Sequence, residues 1–152
     1  MEYCLTTAML CKQYKSFKAL DGLTMHVPKG AIYGLVGRNG AGKTTLIRLI
    51  AGIQEPTSGG YTLYGVKNTD RGIHKARRHM GAVVETPSIY MDMSAEENLK
   101  IQYRVLGLPN YEGIPELLQL ARLDGCGKKK AKHLSLGMRQ RLGIAVALCG
   151  ST

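Results

Sequence analysis

Ala31-Ile32-Tyr33-Gly34-Leu35-Val36-Gly37-Arg38-Asn39-Gly40-Ala41-Gly42-Lys43-Thr44-Thr45-Leu46-Ile47-Arg48-Leu49-Ile50 is the stretch from which the fold reads outward. Residues 31–36 are almost wholly apolar, which predicts a short strand buried on both faces. Residues 37–44 fit G-x-x-x-x-G-K-S/T. From residue 44 to 50, Leu46, Ile47, Leu49 and Ile50 fall largely on one side of a helix, and Gly52 is its stop. Strand, glycine turn and helix in this order make a phosphate cradle. Successive backbone N–H groups must converge on the anion, in conformations and at approaches that side chains block. Gly37, Gly40 and Gly42 meet that demand, with Arg38, Asn39 and Ala41 between them. Lys43 adds a compact positive charge for the terminal phosphates, and Thr44 and Thr45 open the helix. The Thr44 hydroxyl is a candidate Mg²⁺ ligand, and the helix N-terminus turns partial positive charge toward the anion. A glycine-rich structural turn is the plainer alternative, and the fixed positions favour nucleotide binding over it.

Upstream, residues 3–10 and 23–27 are β-type runs separated by a turn near residues 15–17 and closed by Pro28-Lys29-Gly30, which predicts antiparallel strands. Downstream, residues 55–60 read as a loop, residues 61–64 as a strand and residues 80–84 as another short apolar strand. Ser94 followed by Glu97 is a capping box, opening a helix that runs to about Leu106. From Pro115 onward the pattern is helical, interrupted by a basic loop.

Length and composition bound the possibilities. A chain of 152 residues with 44% hydrophobic and 21% charged residues suits one ordinary globular unit rather than a disordered segment. No apolar run reaches the roughly 18 residues that would cross a bilayer. The N-terminus has no secretory pattern, so a cytoplasmic location is expected. Cys4, Cys11, Cys126 and Cys149 lack C-x-x-C spacing, which argues against zinc and against a disulfide framework. The net charge of +10 raises nucleic acid as a partner. Lys128, Lys129, Lys130 and Lys132 cluster without interleaved aromatics, and a solvated loop with no nucleic acid is the better reading.

A P-loop alone does not choose among kinases, GTPases and motor ATPases. Leu134-Ser135-Leu136-Gly137-Met138-Arg139-Gln140-Arg141-Leu142-Gly143-Ile144-Ala145 resembles the signature of ABC transporter ATP-binding subunits, L-S-G-G-Q before a basic, Ala-rich helix. Ser135 can cap that helix while Gly137 lets backbone approach an anion, and an ordinary capped amphipathic helix is the alternative. Leu136 and Met138 depart from the usual signature. The form S-L-G-M with Q-R-L-G-I-A is similar to the branch that exports, or confers immunity to, peptide antibiotics such as bacitracin and lantibiotics. Tyr14 matches the aromatic that stacks on adenine in this family, a core strand tyrosine being the alternative. Glu85 stands where the family usually has the glutamine that reaches Mg²⁺ and the membrane subunit. A carboxylate can also hold Mg²⁺, and a plain strand-end residue is the other possibility.

The resemblance implies an α/β fold, a partial P-loop ABC ATP-binding cassette with an antiparallel β subdomain and a helical signature subdomain. Its β and P-loop core would cover about residues 1–93 and the helical subdomain about residues 94–148. It implies ATP and Mg²⁺ as ligands, with Lys43 and Glu85 as catalytic candidates. A homodimeric partner subunit would share its ATP with Ser135, Leu136, Gly137 and Met138. The other partner would be a transmembrane permease, with this chain at the cytoplasmic face of the membrane. The family's Walker B Asp-Glu pair, D-loop and switch histidine have no counterpart in these 152 residues. The expectation is therefore a polypeptide that grips nucleotide but accelerates hydrolysis little. A non-hydrolytic regulatory module is the alternative function. A small-molecule kinase would lack the residue 134–145 helix, and a ribosome-acting ABC protein usually carries two cassettes.

Overall fold

The computed structural model describes residues 2–150, and the chain divides after Arg78 into two compact units. The first is built on a sheet of four strands in the order β2-β1-β3-β4, all antiparallel. Strands β1 (Tyr3–Tyr14) and β2 (Phe17–Pro28) form a hairpin, and β3 (Ser58–Leu63) and β4 (Val66–Lys67) continue the sheet on the other side of β1. β1 is irregular in its middle. Met9 takes φ 46, the register shifts between Thr7 and Leu10, and a Cβ on Gly59 would lie 1.9 Å from the Met9 carbonyl oxygen. Glycine is thus required at residue 59 to let β3 close on the bulge, which is why a Gly-Gly pair read as loop lies inside a strand.

Helix α1 (Lys43–Ile50) buries Leu46, Leu49 and Ile50. Ile47, expected on the same side, is exposed, because 100° per residue carries it off the stripe. Gly52 takes φ 75 and ends the turn as expected. The Tyr61 hydroxyl of β3 donates to the Leu49 carbonyl oxygen at 3.0 Å and accepts from Arg77 of the short helix α2 (Ile73–Arg77), fastening the C-terminus of α1 to the sheet.

Two expected strands are absent. Residues 31–36 and 80–84 have no strand partner among the described residues, and Ile32 and Val36 are fully exposed. Their apolar character is that of buried parallel strands, but a strand exists only through hydrogen bonds to a neighbouring strand, and neither run pairs with one among the described residues.

The second unit is helical. α3 (Ala95–Leu106), α4 (Ile114–Leu120) and α5 (Leu136–Leu148) share one core that includes Leu99, Tyr103, Leu117, Leu118, Leu142 and Ala145. Single 3-10 turns at Asp124–Cys126 and Ala131–His133 carry the basic loop between α4 and α5. Cys149 closes the same core, and its burial pushes the thiol pKa up to about 11. All four cysteines are free thiols. No helix among the described residues is long and apolar enough to cross a membrane.

The expected capping box at the start of α3 is present in full. Ser94 Oγ accepts from the Glu97 amide at 3.1 Å, and Glu97 Oε2 accepts from the Ser94 amide at 2.7 Å. These bonds hold the Glu97 carboxyl below the usual carboxylate range. Its contribution is therefore present above the unfolded-state pKa and is lost as pH falls through the folded one. Ser94→Ala is expected to destabilise the helical unit by about 1 kcal/mol. Urea unfolding followed by circular dichroism checks this, and an unshifted midpoint would count against the cap as a stabilising element.

Candidate nucleotide site

The turn from residue 37 to 42 runs straight into α1, and the join is made of backbone. Gly40 and Gly42 take φ 83 and 87, left-handed values that other residues adopt only with strain. Gly42 is also pressed against β2: a Cβ there would stand 2.2 Å from the Ala19 carbonyl oxygen and 2.9 Å from Leu20 Cδ2. The turn therefore sits directly on the strand, and only glycine permits it.

Where α1 begins, its first N–H groups are left without a side-chain cap, and no acidic residue occupies its first turn. That contrasts with α3, whose N-terminus Ser94 and Glu97 close off. An uncapped helix start carries orphan donors and the positive end of the helix dipole, the combination that receives an anion. The Lys43 ammonium lies over the turn, donating to the carbonyl oxygens of Gly37 and, at 2.8 Å, Arg38. Donors and cation are thus arranged around one place.

That place is a cavity of about 330 Å³, lined by Tyr14, Phe17, Ala19 and residues 39–45. Its volume is within the range of small-ligand pockets. Tyr14 reaches it from the end of β1, fixed by a hydrogen bond from its hydroxyl to Gln54 Oε1 and by Lys12, whose ammonium lies 5.3 Å from the ring centroid. Lys12 is itself tied to the Glu55 carbonyl oxygen at 2.7 Å, and the Gln13 amide donates to Thr57 Oγ1 at 3.0 Å. The structure thus brings Tyr14 together with Asn39, Gly40, Ala41, Gly42, Lys43, Thr44 and Thr45. Gly37 and Arg38 border the arrangement through their carbonyls. Phe17 and Ala19 are additions that sequence reasoning missed. Neither belongs to a motif, and only the hairpin pairing Tyr14 with Phe17 signals their place.

The other candidates belong to the helical unit or its approach. Ser135 caps α5 as expected, its hydroxyl accepting from the Met138 amide at 3.3 Å, and no acid lies in the first turn. Leu136 is exposed, and a Cβ on Gly137 would meet nothing within 4 Å, so backbone at this helix start is open to approach. Met138 packs against the helical core instead. Glu85 is exposed and takes φ 61, a left-handed conformation just after the apolar run 80–84. Thr44 is a half-buried hydroxyl in the first turn of α1, a hard oxygen donor of the type Mg²⁺ accepts. Among the described residues no group of three or more His, Cys, Asp or Glu side chains forms a metal cluster.

Comparison with known proteins places this geometry in a family. Residues 20–152 match the ABC transporter family. The bacitracin transport ATP-binding protein BcrA of Bacillus licheniformis is 42% identical over 148 residues, covering 97% of this chain and 48% of that protein. The lantibiotic transport ATP-binding protein SrtF of Streptococcus pyogenes is 37% identical over 142 residues, covering 93% of this chain and 60% of the relative. Among solved structures, an ATP-binding subunit of an ABC transporter superposes with a TM-score of 0.83 at 32% identity, over 95% of this chain and 61% of the other. The chain thus spans about half the length of the first of these relatives. With the family matched over most of its residues, with ATP-binding subunits as its relatives in sequence and structure, the chain belongs to the ABC transporter family and is part of an ATP-binding cassette.

Proposed function

We propose that this chain is the nucleotide-gripping part of an ABC transporter's ATP-binding subunit, of the kind that serves export of, or immunity to, peptide antibiotics. The observation that carries the reading is the convergence on one cavity of the 39–45 backbone, the Lys43 ammonium, the uncapped start of α1 and the Tyr14 ring. In this reading the triphosphate lies along residues 37–45 and adenine stacks on Tyr14. The Thr44 hydroxyl, with Glu85, would hold Mg²⁺, which when bound neutralises phosphate charge. Lys43 directs positive charge at the terminal phosphates.

Ser135, Leu136, Gly137 and Met138 would form a second anion grip, used on ATP held by a partner subunit, most simply a second copy. The helical segment of about residues 94–148 is the part that presents this grip, and about residues 1–93 form the core that holds the first. Closure of the pair on ATP and reopening after hydrolysis would drive a membrane permease at the cytoplasmic face. Relatives named for bacitracin and lantibiotic transport support a peptide-antibiotic substrate, as does the S-L-G-M form of the signature segment. Hydrolysis is assigned to the whole protein rather than to these residues, which span about half the length of the bacitracin-transport relative.

Equilibrium binding of ATP with Mg²⁺ tests the central assignment. Saturable binding by the full chain, competed by ADP and without phosphate release by the 152 residues alone, is the expected result. No saturable binding would overturn the reading, and rapid phosphate release would overturn the division of labour. Glu85→Gln in the whole protein is expected to change Mg²⁺-dependent turnover or its coupling to transport. A variant identical to the parent in both assays would remove Glu85 from the site.

A further inference from the structure

The hairpin of β1 and β2 ends in two aromatic rings. Tyr14 and Phe17 are cross-strand partners on either side of the turn at Lys15 and Ser16, and both line the cavity of the glycine turn. Their surroundings differ. Tyr14 is held through its hydroxyl by Gln54 and over its ring by Lys12. Phe17 is 58% exposed, and no other ring packs on it among the described residues. A phenyl ring at the mouth of a cavity is stabilised by whatever flat, apolar surface covers it.

The frame behind Phe17 is fixed by the contact already described at Gly42. Because the glycine turn rests on the Ala19 carbonyl, the phosphate-gripping backbone lies against β2 only two residues along the strand from Phe17. Backbone pairing sets the ring and the turn in one piece of structure. A ligand that places an anionic chain on residues 39–45 therefore brings its other end to the hairpin tip, where Tyr14 and Phe17 both stand.

Resting on the nucleotide reading above, we propose that Phe17 is the second wall of a base-binding slot whose first wall is Tyr14. The slot selects purine over pyrimidine nucleotides by the ring area it covers. Aromatic–base contact is strong enough for one wall to matter and depends on a π-face, whereas the phosphate grip does not.

The test is equilibrium binding of ATP, CTP and inorganic tripolyphosphate to the full chain and to its Phe17→Ala, Phe17→Leu and Phe17→Tyr variants. Phe17→Ala and Phe17→Leu are expected to weaken ATP about 10-fold, to narrow the ATP-over-CTP preference, and to leave tripolyphosphate unchanged. Phe17→Tyr is expected to stay within about twofold of the parent for all three ligands. Unaltered ATP affinity in Phe17→Ala would overturn the proposal while leaving the nucleotide reading intact. Equal losses for ATP and tripolyphosphate would overturn it too, by showing that Phe17 acts on the phosphate turn. If the unaltered chain binds neither ATP nor tripolyphosphate, the nucleotide reading falls and this proposal with it.

Discussion

Lys43→Ala is expected to lower ATP affinity about 100-fold or more, the loss of two charge-assisted hydrogen bonds to phosphate at roughly 1.5 kcal/mol or more each. The fold should not change, because Lys43 lies at the start of α1 and its ammonium donates to the carbonyl oxygens of Gly37 and Arg38. Those carbonyls belong to exposed residues, so water can replace the ammonium without leaving a buried acceptor unpaired. Calorimetry of ATP binding, with circular dichroism to verify the fold, decides the matter. An affinity within threefold of the parent would separate Lys43 from the ligand and remove the main electrostatic argument for the site.

Gly42→Ala acts through structure rather than charge. A left-handed φ of 87 strains an alanine by roughly 1–2 kcal/mol. Its Cβ would also stand 2.2 Å from the Ala19 carbonyl, so turn and strand must part. A total near 2–4 kcal/mol is expected, along with weaker ATP binding as the cavity between turn and hairpin loses its shape. Gly40 provides the control: its φ is 83, but an added Cβ meets nothing within 4 Å. Gly40→Ala should therefore show the backbone strain without the collision. If the two variants unfold at the same urea concentration, the close approach at Ala19 contributes nothing to stability.

Much of the candidate site's local geometry was legible because its backbone restricts residue type. A turn that offers amides to phosphate needs glycine at set positions, and Gly40 and Gly42 do take left-handed φ values. Helix starts were legible for the same local reason: Ser94 with Glu97 and Ser135 each cap the helix that follows. Strand pairing was not local. Residues 31–36 and 80–84 carry the composition of buried strands, yet composition does not reveal which neighbour would hydrogen-bond to them. Gly59 was misread for the opposite reason, since a glycine that closes a strand on a bulge looks like a loop glycine until the Met9 backbone is seen beside it. Phe17 went unnoticed because any residue can occupy a hairpin tip, and only pairing with Tyr14 brings it to the cavity. The short helix α2 has two buried apolar residues, Ile73 and Ala76, too few to stand out as a period.

Cys149 lies at the end of α5 with its sulfur packed among α3, α4 and α5, and its depressed acidity keeps it a neutral thiol at physiological pH. A thiol-directed reagent can reach it only when those helices separate, since the reactive thiolate needs both water and space. The alkylation half-time of this one sulfur is therefore a stopwatch for how often the helical unit breathes open, readable by mass spectrometry on the unlabelled protein.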